Sequence, residues 1–290
     1  MIPPSFDYHA PRSIPDAVGL LASLGDEAKL LSGGQSLLPL MKLRFARPAH
    51  VIDIGRIPGL DYIKEEGGVL KIGALVREAA LEASALVRDK YPILADTAAV
   101  IADPLVRNLA TVCGNLAHGD PANDHPATML ALGAEVVATG PKGQRTIAIA
   151  QFFTGLFSTA LAPDEILTEI RIPTPPAGSG GAYVKLERKV GDFATAGAAA
   201  QLTLSGGVIE RAGLGLTAMG PVPVKAADAE KFLAGKAPDE AAFAEAARLA
   251  AAATRPTADR RGAVDYKKEM ARVLTVRALR AAARRAAGGK

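Results

Sequence analysis

Two short glycine segments of matching chemistry, Ser32-Gly33-Gly34-Gln35-Ser36 and Thr111-Val112-Cys113-Gly114-Asn115, lie about eighty residues apart and constrain this chain more than any other feature. Each follows an apolar run, sets glycine beside small hydroxyl or amide residues, and carries no charged side chain. An anion seated there must be held mainly by backbone N–H groups, which is how a run of amides cradles a diphosphate. Glycine suits the task because it allows positive φ and a close approach of ligand to main chain. A single Gly-Gly pair after a strand is an ordinary turn. Two such segments serving one ligand require a fold that brings them together, and a ligand gripped from two sides reads as a dinucleotide.

At 290 residues the chain is long enough for one large or two to three small domains, and its apolar fraction of 49% is that of a globular protein. The opening Met1-Ile2-Pro3-Pro4-Ser5-Phe6-Asp7-Tyr8 has no basic segment followed by an apolar one, and no uncharged apolar stretch reaches about 18 residues. These features predict a cytoplasmic protein without membrane insertion. The formal charge of +4 is unevenly placed: Arg255 to Lys290 holds eleven Lys/Arg against Asp259, Asp265 and Glu269, a balance of +8, which leaves −4 for the first 254 residues. Nucleic-acid surfaces interleave cations with aromatics, and the last twenty residues contain no aromatic, so the basic segment reads as a solvated helix face or a docking surface rather than a nucleic-acid site. The single cysteine, Cys113, excludes internal disulfides and Cys-ligated iron–sulfur or zinc centres.

Along the chain, Ser13 is placed to cap a helix whose residues Ala17, Val18, Leu20, Leu21 and Leu24 keep helical spacing up to Gly25. Lys29-Leu30-Leu31 and Val51 to Ile54 read as strands, and Leu60 to Ile63 with Val69 to Ile72 as a hairpin around Glu65-Glu66-Gly67-Gly68. Arg77 to Ala85 and Leu86 to Val100 read as helices, with Asp103-Pro104 breaking the pattern before the second glycine loop. Ala127 to Leu132 is a short helix, and Glu135 to Ala138 and Glu165 to Ile172 are strands. The run Pro173 to Gly181 marks a break between domains. Beyond it, Ala182 to Arg188, Thr195 to Leu204 and Val208 to Thr217 form a meander, followed by Ala-rich helices over Ala226 to Leu233, Asp239 to Ala253 and Asp265 to Ala286.

No Walker loop and no G-x-G-x-x-G fingerprint occurs, which disfavours P-loop and Rossmann enzymes, and Gly34-Gln35-Ser36-Leu37-Leu38 lacks the second glycine of a hydrolase elbow. His118, Asp120, Asp124 and His125 match no common metal spacing and read as a polar turn that caps the helix after Pro126, so no metal site is expected. Asp124 is equally placed to accept hydrogen bonds from ribose hydroxyls.

Three motifs in order carry a resemblance over the whole chain. Ser32 to Lys42, then Thr111 to Asn115 followed by Ala117 to Asp124, then Lys189-Val190-Gly191-Asp192-Phe193-Ala194-Thr195, are similar to the FAD-binding medium subunit of molybdenum hydroxylases. The likeness is strongest to the carbon monoxide dehydrogenase type and extends to the related domain of xanthine dehydrogenase. Ile2 to His9 and Arg260-Arg261-Gly262 to Met270 share it. The resemblance implies an α+β chain: a two-subdomain FAD-binding domain of the PCMH/vanillyl-alcohol-oxidase type over residues 1–176, divided near 55, then a small antiparallel sheet with a helical bundle over 177–290.

It also implies non-covalent FAD with its diphosphate held by Leu30, Leu31, Ser32, Gly33, Gly34, Gln35, Ser36 and Leu37 and by Thr111, Val112, Cys113, Gly114 and Asn115. Ile101, Asp124 and Leu167 complete that pocket, and Lys185, Asp192 and Phe193 approach the isoalloxazine. Cys113 stands where the family usually has a second glycine, and Phe193 where the carbon monoxide enzymes usually have tyrosine. No residue is expected to be catalytic on the primary substrate. Electrons would arrive from a molybdopterin-binding large subunit through an iron–sulfur small subunit carrying [2Fe-2S] clusters, the whole a dimer of heterotrimers that meets a membrane only through the complex. Medium subunits of xanthine, aldehyde or aromatic-heterocycle dehydrogenases, a stand-alone flavin oxidase, and a non-redox nucleotide-binding scaffold remain as alternative readings.

Overall fold

The computed structural model describes residues 2–289; Met1 and Lys290, the outer limits of the expected domains, lie outside the described residues. The chain opens with β1 (Asp7–His9), α1 (Ile14–Leu24), β2 (Ala28–Leu31), α2 (Leu37–Lys42) and β3 (His50–Asp53). These strands form a three-stranded sheet in the order β1-β3-β2, with both pairings parallel, and α1 and α2 supply the crossovers that parallel strands need. Ser13 caps α1 as its sequence indicates, its hydroxyl accepting from Asp16 N–H at 3.2 Å, and Gly25 ends the helix at φ 55. Ala17, Val18 and Leu21 of α1 meet Ile52 and Ile54 in a small core of their own.

Next come β4 (Ile63–Glu66), β5 (Val69–Gly73), α3 (Glu78–Ala83), α4 (Ala85–Lys90), α5 (Pro92–Ala99), α6 (Pro104–Arg107), α7 (Val112–Ala117) and α8 (His125–Leu132). They are followed by β6 (Glu135–Gly140), β7 (Gly143–Ala148), α9 (Ile149–Phe152), the short pair β8 (Phe153–Gly155) and β9 (Ser158–Thr159), and β10 (Ile166–Pro173). Five of these strands form an antiparallel sheet in the order β4-β5-β10-β6-β7.

The expected hairpin is shifted: its first strand starts at Ile63, and Gly67 and Gly68, with φ of 62 and 75, make the turn by themselves. A two-residue turn with positive φ at both positions matches the twist of paired strands, so Glu65 and Glu66 stay in the strand. The two expected helices become three: the first break falls at Ser84, which recaps the chain through Val87 N–H, close to the expected boundary, and Pro92 starts a further helix within Leu86 to Val100. Asp103-Pro104 begins a helix instead of only ending one: the Asp103 carboxylate accepts from Val106 N–H at 2.9 Å, and proline at the first helical position needs no acceptor.

Residues 174–178 connect to β11 (Ser179–Glu187), β12 (Ala194–Ser205), β13 (Val208–Thr217) and β14 (Val224–Lys225), an antiparallel meander in that order, then α10 (Ala227–Leu233), α11 (Glu240–Ala252) and α12 (Val264–Ala286). The connection is shorter than the composition break suggests, since Ser179 to Gly181 already pair with β12. One face of β12, Ala196, Ala198, Ala200 and Leu202, packs with Leu274, Ala278, Leu279 and Ala282 of α12. The other carries Ala199, which with Tyr183 joins the core built around α5 and α8. Burial on both faces explains the unbroken run of small apolar residues in β12.

All eight residues of α8 are buried, and the helix packs on β12 and β13 as well as on β10 and α5. Gly213 and Gly215 of β13 admit it, because a Cβ at either position would strike the carbonyl oxygen of Ala131 or Ala127. A second tie crosses the same seam: Arg285 near the end of α12 bonds Asp96 of α5 at 2.6 Å and the Gly181 carbonyl at 2.6 Å. We expect Gly215→Ala to lower the free energy of unfolding by about 2–3 kcal/mol through overpacking. Gly19→Ala, at an exposed α1 position with open space around its Cα, should raise it by about 0.5–1 kcal/mol. Chemical denaturation of both variants checks the pair, and equal midpoints would show that the β13 glycines are not a packing requirement.

Candidate functional site

The two glycine segments meet. Ser32 and Thr111, 79 residues apart in sequence, share a hydrogen bond of 3.1 Å between their hydroxyls. Gly33 lies so close to the end of α6 that a Cβ would fall 2.8 Å from Ala110 Cα and collide with Leu109 O. The turn from Ser32 to α2 is closed by Leu38 N–H on the Gly34 carbonyl at 3.0 Å and by the Gln35 amide on the Gly33 carbonyl at 3.3 Å. Gly34 takes positive φ, 77. The backbone N–H groups of Gly33, Gly34, Gln35 and Ser36 donate to no acceptor among the described residues.

The second segment is not a loop but the first turn of α7. Thr111 caps that helix, its hydroxyl accepting from Gly114 N–H at 3.2 Å, and a Cβ on Gly114 would lie 2.6 Å from the same oxygen. Gly33 and Gly114 are therefore required by close contact, not by positive φ. The segment is fixed from below by Glu78 N–H on Ala110 O at 3.0 Å and Val112 N–H on Val76 O at 3.1 Å, while the Arg77 guanidinium donates to Leu109 O. Val112 and Cys113 turn their side chains into the core, the Cys113 sulfur lying 3.7 Å from Gly73 O, and burial pushes its thiol well above the usual range. Both can offer only backbone atoms to a ligand. Asn115 accepts from the Asn123 amide through its carbonyl at 2.8 Å, and its own Oδ1 is buried without a partner among the described residues.

Leu30 and Leu31 close β2 and Leu37 opens α2, all half-buried around the first turn. Leu167 is buried in β10 at the register shift of that strand, and Ile101 is buried just before Ala102, whose φ is 46. Asp124 precedes α8 yet makes no cap bond. Its two oxygens take the Tyr183 hydroxyl at 2.5 Å and the Lys185 ammonium at 3.0 Å. The expected capping role is replaced by a buried bridge to β11, and burial pushes the Asp124 carboxyl upward against the pull of Lys185 and Tyr183. Lys185, also buried, donates to Val100 O at 2.9 Å and lies 3.3 Å from Glu187. Gly191, φ 83, sits against the Ala102 carbonyl, so the turn between β11 and β12 touches the segment after α5. Asp192 in that turn is bonded to Arg261, and the Phe193 ring is 47% exposed.

His118 packs on the Phe157 ring at 5.2 Å, and burial pushes its imidazole pKa below the ordinary value. Asp120 accepts from Ala122 N–H at 2.9 Å. No group of three or more His, Cys, Asp or Glu is placed to hold a metal among the described residues. Sequence reasoning assigned no role to Tyr183, Arg77 or Arg261, whose parts depend on contacts between distant segments. Nor did it find the fully buried pair of Glu78 and His125, 2.7 Å apart. For Arg261 the one sequence signal was its place in the Arg260-Arg261-Gly262 stretch.

Residues 4–175 match the family described as the FAD binding domain in molybdopterin dehydrogenase, and residues 181–282 match the CO dehydrogenase flavoprotein C-terminal domain. The chain is 48% identical over 286 residues to the carbon monoxide dehydrogenase medium chain of Afipia carboxidovorans, covering 99% of each. It is 37% identical to the 6-hydroxypseudooxynicotine dehydrogenase complex subunit alpha of Paenarthrobacter nicotinovorans, covering 99% of this chain and 97% of that one. Among solved structures it matches the carbon monoxide dehydrogenase of Hydrogenophaga pseudoflava lacking the Mo-pyranopterin moiety of the molybdenum cofactor, with a TM-score of 0.95, 50% identity, and 97% and 98% of the two chains covered.

Thr111→Val deletes both the helix cap and the hydroxyl link to Ser32 with little change of shape. It should cost about 1–2 kcal/mol, as losses of N-cap side chains do, and Ser32→Ala should cost less, about 0.5–1 kcal/mol. Urea unfolding measures both, and an unchanged midpoint for Thr111→Val would show that the cap contributes nothing.

Proposed function

The chain belongs to the FAD-binding proteins of the molybdopterin dehydrogenases, and from that premise we propose that it is the flavin-carrying, electron-transferring medium subunit of a carbon monoxide dehydrogenase-type molybdenum hydroxylase. The observation that carries the reading is the contact of the Ser32 turn with the start of α7 at Thr111, which sets the four acceptor-free backbone N–H groups of Gly33 to Ser36 next to the second glycine segment. The residues fit the cofactor: four N–H groups in succession without acceptors suit a phosphate held by main chain, and the adjoining glycine segment ends in Asn115, whose Oδ1 is buried without a partner among the described residues. FAD supplies one- and two-electron redox chemistry when bound.

In this reading residues 1–176 form the FAD-binding domain, divided near 55, and 177–290 close over it. Gly33 to Ser36 and the Thr111 to Asn115 turn hold the diphosphate, with Leu30, Leu31 and Leu37 packing around the first and Ile101 and Leu167 completing the site. Val112 and Cys113 contribute main chain only, so a thiol in place of the family's second glycine leaves the cradle intact. Lys185, held between Asp124 and the Val100 carbonyl, ties the C-terminal sheet to the end of α5 on the flavin side. Asp192 and Phe193 shape the side of the pocket toward the ring.

Substrate oxidation belongs to partner subunits: a molybdopterin-binding large chain and an iron–sulfur small chain, assembled as a dimer of heterotrimers. A single cysteine leaves this chain unable to ligate a cluster by thiolates. Among the described residues no helix is long and apolar enough to cross a membrane, which supports a cytoplasmic complex that meets the membrane only by association. Phe193 supports a second reading, a medium subunit of an aromatic-heterocycle dehydrogenase, since the carbon monoxide enzymes usually carry tyrosine there.

The test is made on the assembled complex. Gly33→Val drives two methyl groups into Leu109 and should remove FAD from the purified complex, read as loss of the visible flavin bands. In the wild-type complex without oxygen, carbon monoxide should bleach the flavin, whereas bleaching by a nitrogen heterocycle instead favours the second reading. The isolated chain supplied with FAD should not be bleached by either. Bleaching of the isolated chain would show that it carries its own catalytic site.

A further inference from the structure

We propose that Arg261 is a positioning residue of the flavin pocket, fixing the Glu187 to Phe193 turn, and with it the Phe193 ring, from the helical side of the C-terminal sheet. This rests on the flavin reading above. The turn is exposed at its tip, where Val190 is 94% accessible, yet its working end is held by charge. Arg261 Nη2 donates to Asp192 Oδ1 at 2.7 Å, the same oxygen accepts from Phe193 N–H at 2.8 Å, and the guanidinium stands 5.8 Å from the centre of the Phe193 ring, within cation–π range. One arginine thus grips both the carboxylate before the aromatic residue and the ring itself.

The grip is not a passing surface contact. The Asp192 side chain is 10% exposed, and the Arg261 guanidinium holds its carboxyl below the usual carboxylate range. Arg188 flanks the second oxygen at 3.5 Å. Two polar atoms at the junction, Arg261 Nε and Asp192 Oδ2, are buried without a hydrogen-bond partner among the described residues. A donor and an acceptor left unused in a buried junction are costly unless something completes them.

Arg261 is itself anchored from the core. Its N–H bonds Asp259 Oδ1 at 2.8 Å, and the other Asp259 oxygen takes the Lys267 ammonium at 2.9 Å. Lys267, buried in the first turns of α12, also donates to Thr257 O at 3.0 Å. The sequence of contacts Lys267, Asp259, Arg261, Asp192 therefore runs from the helix packed beneath the sheet to the turn between β11 and β12. A mutual network of this kind holds geometry far better than an isolated exposed pair. On the opposite side Gly191 abuts Ala102, so the turn is held from both domains.

The experiment uses the assembled complex stripped of flavin and titrated with FAD, with visible absorption and circular dichroism of the flavin bands read alongside thermal unfolding. Arg261→Gln should weaken FAD binding on the order of ten- to a hundredfold, as loss of a hydrogen bond to a charged group does, and should shift the flavin bands. Arg261→Lys, which keeps the charge, should recover part of both effects. Because Arg261 acts through Asp192, Arg261→Gln combined with Asp192→Asn should be no worse than either change alone. Wild-type affinity and unshifted bands in Arg261→Gln would overturn the proposal, and so would additive losses that follow the fall in unfolding temperature. Gly33→Val separates the two readings: if it loses FAD while Arg261→Gln does not, only the role of Arg261 fails. If it retains FAD at wild-type affinity, the flavin lies elsewhere and the assignment of Arg261 falls with it.

Discussion

The burial of α8 on every side is the constraint on which the rest of the structure depends. A helix without a wet face must find its partners all around, and here they come from both halves of the chain: β10 and α5 from one, β12 and β13 from the other. Its N-terminal end then does the positioning. His125 bonds Glu78, which starts α3 and pins Ala110 directly before the Thr111 turn. Its neighbour Asp124 bonds Tyr183 and Lys185 of β11. Two adjacent side chains at one helix terminus thereby set the second glycine segment on one side and the C-terminal sheet on the other.

The buried polar groups follow the same economy. Asp124, Lys185, Tyr183, Glu78 and His125 sit out of water, where an unpaired charge or donor is costly, so each is bound to a defined partner. Glu78 Oε1 and His125 Nδ1 are left over from that pairing. Networks of this type specify one arrangement of their members.

Much of this was legible in the sequence where local chemistry decides the outcome. Ser13 before an apolar helical repeat, the small-residue runs of the meander, and the two glycine segments each announce themselves within a few residues. What was not legible depends on contacts across the fold. Gly33 and Gly114 read as hinges of positive φ, whereas each is glycine because another group, Leu109 O or the Thr111 hydroxyl, already occupies the place of its Cβ. The Thr111 segment read as a loop because its cap and first turn are too short to show periodicity. Asp124 read as a cap or ribose ligand, and only the docking of β11 reveals the tyrosine and lysine that occupy its oxygens. Arg261 stands 69 positions from Asp192, with no pattern to join them.

The glycine slot in β13 bears on how such chains can diverge. Along the sequence the obvious place to cut is the connection at residues 174–178, and recombination between relatives at that point would exchange β13 while keeping α8. The two are fitted to each other atom against atom, the Ala127 and Ala131 carbonyls resting where side chains would otherwise stand. A hybrid made at the linker inherits a foreign strand under its most buried helix, and only donors with glycine opposite the same two carbonyls can supply one. The unit that evolution must pass on intact is therefore the helix with its strand, although residues 133–207 of the chain separate them.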